Sequence, residues 1–61
     1  MTKHTNLNGY LVTETTLDNG WYELSTFVCS MGEQYRERKR YDHKPTEGDY
    51  MSFMSHVEST R

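Results

Sequence analysis

Two runs rich in β-branched and aromatic residues dominate the first half of the chain: Tyr-Leu-Val-Thr-Glu-Thr-Thr-Leu over 10–17 and Trp-Tyr-Glu-Leu-Ser-Thr-Phe-Val-Cys over 21–29. Asp18-Asn19-Gly20 separates them. Asn-Gly supplies the pair of positive φ angles that a type I′ turn requires, so the runs predict a β-hairpin. A two-residue Asn19-Gly20 turn pairs Leu17 with Tyr22, Thr15 with Leu24, Thr13 with Thr26 and Leu11 with Val28. On that register Leu11, Leu17, Tyr22, Leu24 and Val28 form one apolar strip, which is expected to meet the core. The other face is polar near the turn, with Glu14, Thr16, Glu23 and Ser25. At its far end Val12 opposes Phe27 and Tyr10 opposes Cys29.

Ser30-Met31-Gly32 interrupts the pattern. The stretch Glu33–Tyr41 has helical propensity but no stripe at 3.6 spacing, whereas Tyr35, Glu37, Lys39 and Tyr41 alternate with Arg36, Arg38 and Arg40 at period 2. A charged edge strand is the favoured reading, and charges there also oppose sheet-to-sheet aggregation. Further on, Thr46 can cap a helix with Asp49 three residues later, and Tyr50, Phe53, Met54 and Val57 lie on one helical face. Met31, Met51 and Met54 read as adaptable packing. The predicted fold is therefore α+β: a three-stranded antiparallel β-meander with one C-terminal α-helix packed on one face. It occupies 9–58 as a single β-β-β-α domain. Residues 1–8, polar around Leu7, read as a flexible N-terminal arm, and 59–61 as a frayed C-terminus.

At 61 residues, 33% of them hydrophobic, the chain has room for one small domain with a thin core. That excludes a multidomain enzyme, a transmembrane span and a large enclosed active site. Net stability of a few kcal/mol is expected at this size, and a second copy or a bound partner would add burial. A net charge of −2 is too small to steer the whole molecule to nucleic acid or a bilayer. With a single cysteine, Cys29, no internal disulfide can form, which points to a reducing compartment. No apolar run follows Lys3, so no signal peptide and no membrane association are expected.

Cys29, His43 and His56 are the candidate metal ligands, but no Cys-x-x-Cys or His-x-x-x-His pair occurs, and no metal is expected. The four glycines, at 9, 20, 32 and 48, form no phosphate-cradling motif. A nucleophile would need a cleft that excludes water, which so short a chain can hardly build. Neither enzymatic activity nor a cofactor is expected.

The clear local anomaly is the segment from Tyr35 to Lys44. Five basic residues (Arg36, Arg38, Lys39, Arg40, Lys44) against Glu37 and Asp42 give it +3 and leave −5 for the rest. On a strand the three arginines project from one face about 7 Å apart, comparable with the phosphate spacing of a nucleic-acid strand, and Tyr35 and Tyr41 could stack on bases. The same row suits an acidic protein surface. A third reading is a solvated edge whose arginines pair with Glu14, Glu23 or the helix carboxylates. Tyr10, Val12 and Phe27 form a second apolar patch, available to a partner or to a second copy unless the N-terminal arm folds back over it through Leu7.

Gly9-Tyr10-Leu11-Val12-Thr13, the run Trp21–Val28, Arg40-Tyr41-Asp42 and a final helix carrying His56 together resemble a group of very short proteins encoded by tailed bacteriophages. The resemblance spans 9–58, with Ser55 standing where that group has Gly before the histidine. The group brings no established activity and implies an origin and a size class. Phage chains of this size often bind a host or defence protein stoichiometrically, in the host cell cytoplasm. The resulting expectation is a host-takeover or anti-defence inhibitor that binds through Tyr35, Arg36, Arg38, Arg40 and Tyr41. A nucleic-acid-binding accessory protein using the same strand, and a structural homo-oligomer subunit using Tyr10, Val12 and Phe27, are the alternatives.

Overall fold

A computed structural model describes residues 1–59, with the backbone only for Ser30. Strands β1 (Thr2–Leu7), β2 (Tyr10–Thr16), β3 (Tyr22–Ser30) and β4 (Glu33–Tyr41) precede one helix, α1 (Glu47–Ser59). The strands form one antiparallel sheet in the order β1-β2-β3-β4. The α+β class, the meander and the C-terminal helix agree with the sequence expectation; the strand count does not, being four rather than three.

The additional strand is the segment read as a loose arm. Asn8 (φ 50°) and Gly9 (φ 84°) make a two-residue turn that returns Thr2–Leu7 along β2 from Leu7↔Tyr10 to Thr2↔Thr15. The Thr16 amide donates to the Met1 carbonyl at 2.9 Å, extending the ladder by one step. Backbone pairing rather than side-chain burial orders this polar segment, and only Thr5 and Leu7 are half-buried. The frayed terminus expected over 59–61 lies outside the described residues except for Ser59, which closes α1.

The β2–β3 register is one residue off the expected one: Thr16 pairs with Tyr22, Thr15 with Glu23, Glu14 with Leu24 and Thr13 with Ser25. The Leu17 amide donates to the Trp21 carbonyl at 2.7 Å and the Gly20 amide to the Leu17 carbonyl at 3.0 Å, so Asp18-Asn19-Gly20 is a three-residue connection. Positive φ falls on Gly20 (88°) and not on Asn19, the arrangement of a turn closed by a glycine bulge. Asn19 instead accepts the Trp21 amide on its side-chain Oδ1 at 2.9 Å, a side-chain turn that replaces the type I′ geometry. The slip turns β2 over. Val12, fully buried, and Glu14 face the core, whereas Leu11 is 54% exposed. The β3 face is as expected, with Leu24 and Val28 buried.

Two residues, Met31 (φ 53°) and Gly32 (φ 82°), turn the chain from β3 into β4, and nine consecutive pairs follow from Ser30↔Glu33 to Tyr22↔Tyr41. The charged segment is a strand, as its period-2 alternation requires.

Helix α1 covers one face of the sheet. Phe53, Met54 and Val57 pack with Val12, Leu24, Val28 and Tyr41, with Leu7, Tyr10, Tyr35 and Tyr50 at the margin. The expected stripe holds, Tyr50 being half-buried at its end. Thr46 caps the helix: its amide donates to Asp49 Oδ2 at 3.0 Å and its Oγ1 accepts the Asp49 amide at 3.3 Å, a reciprocal box with Asp in place of the usual Glu. Among the described residues no helix is long and apolar enough to cross a membrane.

Candidate binding surface

Among the described residues, only one face of the sheet carries a helix. The opposite, open face is built from alternate residues, and the continuous β3–β4 register places Phe27 beside Arg36, Ser25 beside Arg38 and Glu23 beside Arg40. Arg36, Arg38 and Arg40 all project from it, as the sequence predicts. The Arg36 guanidinium carbon lies 4.6 Å from the centroid of the Phe27 ring, which is 59% exposed. Arg38 Nη1 and Arg40 Nε each approach a different oxygen of Glu23 at 3.9 Å, and the two arginine side chains stay about 60% exposed. Pairs this long and open to water contribute roughly 0–1 kcal/mol, so they orient the row without neutralising it.

Three guanidinium groups against one carboxylate give this face +2 and leave −4 for the remaining charges of a chain whose net charge is −2. Beside the row, Leu11, Thr13, Ser25, Phe27 and Arg36 line a shallow hollow of about 200 Å³. Thr26 Oγ1 donates to the Leu11 carbonyl at 3.0 Å at its edge, where the β2–β3 ladder ends.

The tyrosines assigned to this site do not reach it. Tyr35 and Tyr41 occupy the same strand as the arginines at the other parity, so their side chains turn to the helix side. Tyr41 is buried and Tyr35 half-buried against the core. Tyr41 stacks edge-on against His43 (centroids 5.7 Å apart), and the Lys39 ammonium sits 5.6 Å from its ring. Burial, and secondarily the Asp49 charge, push the Tyr41 phenol above its ordinary pKa. The patch of Tyr10, Val12 and Phe27 is likewise divided: Val12 is a core residue, Tyr10 packs on the core margin, and Phe27 faces outward. Both corrections follow from strand parity, the second because β2 is turned over.

Phe27 and Leu11 are the members of this surface that sequence reasoning did not assign to the arginine row; Glu23 was among the carboxylates expected to pair with it. The signal was present in Met31-Gly32: read as a two-residue hairpin turn, it pairs Phe27 with Arg36 by arithmetic. Of the carboxylates expected to pair with the row, Glu14 faces the core and accepts a hydrogen bond from the Tyr50 hydroxyl.

The three candidate metal ligands are dispersed. Cys29 is an exposed thiol on β3, His56 Nε2 lies 3.0 Å from Glu37 Oε2, and His43 spans Asp42 (Nδ1 to Oδ1, 2.9 Å) and Asp49 (Nε2 to Oδ2, 2.8 Å). Among the described residues no three His, Cys, Asp or Glu side chains gather as a metal-binding group. The chain matches no protein-family model, no curated protein and no solved structure.

Proposed function

We propose that this chain is a small binding protein whose open sheet face docks on an acidic surface of another protein, and that it acts stoichiometrically as a phage-type inhibitor of a host or defence factor. The observation that carries this reading is the exposed row Arg36, Arg38 and Arg40, aligned on one face and opposed, among the described residues, by Glu23 alone. Arginine and an exposed aromatic such as Phe27 are residue types enriched where binding energy concentrates. The face needs no cleft to work, and the charge imbalance between it and the rest of the molecule orients an approaching acidic partner.

A protein partner is favoured over nucleic acid because Tyr35 and Tyr41, the tyrosines needed as a base-stacking platform, lie on the helix side, and the Phe27 ring beside the arginine row is already capped by Arg36. Titration with single-stranded DNA, duplex DNA and RNA at low salt tests this. The reading predicts weak association with no saturable site. Tight saturable binding that weakens with log salt at a slope near about −2, as three contacted phosphates on a single strand require, would establish the nucleic-acid alternative instead.

A further inference from the structure

We infer that the partner engages this face by adding an extended acidic strand to the outer edge of β4, an inference that rests on the binding role proposed above. β4 is a terminal strand of the sheet, nine residues long, without proline, and paired along its whole inner edge in nine uninterrupted steps. No other strand pairs with its outer edge among the described residues.

The two-residue turn makes Ser30 and Glu33 the first hydrogen-bonded pair of the hairpin, after which bonding direction alternates. Residues 33, 35, 37, 39 and 41 therefore turn their amides and carbonyls inward to β3. Gln34, Arg36, Arg38 and Arg40 turn theirs outward. The residues that offer an unpaired backbone edge are thus the same ones whose guanidinium groups stand on the open face. A strand that bonds to this edge sets its own side chains directly opposite them, with Cα atoms about 5.5 Å apart. Carboxylates at three alternate positions would each meet one arginine, and opposite charges so placed stabilise a strand pair.

The occupant follows from charge. A second copy adding its own β4 antiparallel would bring arginine against arginine, which repels and protects the edge from self-assembly. Among the described residues the other terminal strand, β1, offers Lys3 and His4 and no comparable row. On the helix side of β4, Glu37 is engaged by His56 and Lys39 lies against Tyr41. The acidic positions of the added strand consequently belong on the open face alone, in an acidic–neutral–acidic alternation.

The test uses a short synthetic peptide with Glu at three alternate positions separated by Thr, titrated into the isotopically labelled protein. Hydrogen exchange at the Arg36, Arg38 and Arg40 amides is expected to slow by about tenfold or more on binding, while the amides of Glu37 and Lys39, already paired, change little. N-methylation of the peptide at its Glu amides, which face β4, is expected to weaken binding by about tenfold or more, whereas N-methylation at Thr is tolerated. Equal affinity for both methylated forms, or for a peptide with the three Glu contiguous, would overturn strand addition and leave docking on the face intact. Peptide binding that survives replacement of all three arginines by Ala would overturn both.

Discussion

The Tyr50 hydroxyl donates to Glu14 Oε1 at 2.5 Å, joining the first turn of α1 to the core face of β2 across 36 positions of sequence. Glu14 is 7% exposed, so its carboxylate depends on this donor. Tyr50→Phe removes the donor and leaves the acid buried without it, and is expected to cost about 2 kcal/mol in denaturant unfolding. Burial, then the Glu14 contact, raise the Tyr50 phenol above its ordinary pKa. A raised acid contributes stability below its unfolded pKa, so stability should fall above about pH 10, where the unfolded phenol ionises first. Tyr50→Phe should flatten that alkaline slope.

At the same end of α1, His43 links the exit of β4 to the helix cap. Hydrogen bonds to Asp42 and then Asp49 raise its pKa, while the Thr46 amide and then His43 lower that of Asp49. The raised imidazole stabilises the fold below about pH 6.5 and loses that contribution as pH rises through its folded value; the lowered carboxylate stabilises above about pH 3.8 and loses it as pH falls. The thermal midpoint is accordingly expected to be highest between these limits. His43→Gln should remove the decline on the neutral side while leaving the acid limb, and a wild-type midpoint that rises from pH 5 to 8 would contradict the clamp.

The β2–β3 register makes a sharp mutational contrast. Leu24→Ala is expected to cost ~2–5 kcal/mol and Val12→Ala about 2 kcal/mol, both side chains being fully buried. Leu11→Ala, on the open face, should change stability by about 0.5 kcal/mol or less. A Leu11 cost matching that of Leu24 would restore the two-residue Asn19-Gly20 turn.

Met31 stands fully exposed at φ 53°, a left-handed conformation that costs a side chain such as methionine roughly 1–2 kcal/mol. Met31→Asn would recreate the Asn-Gly turn that already joins β1 to β2, and is expected to stabilise the protein by about 1 kcal/mol in chemical unfolding. No gain, or a loss, would place the β3–β4 turn differently.

These elements also mark how far the sequence could be read. The helix was legible because its signals are local: Thr46, Asp49 and a stripe at 3.6 spacing refer only to one another. The arginine row was legible because period 2 sets the face of every second residue, and the same rule sends Tyr35 and Tyr41 to the other side. β1 was not legible from burial, since a polar strand held by backbone bonds leaves no apolar signature. The β2 register depended on whether Asn19 spends its side chain on the Trp21 amide or adopts positive φ, a choice that composition does not report. One residue in that turn decided whether Leu11 or Val12 entered the core.

The most direct test of the binding account is affinity capture from nuclease-treated bacterial extract, comparing the wild type with an Arg36→Ala, Arg38→Ala, Arg40→Ala triple variant whose thermal transition has been checked. The account predicts one discrete protein, retained in stoichiometric amount by the wild type and lost from the variant. Retention of the same protein by both, or of none by either, would contradict it.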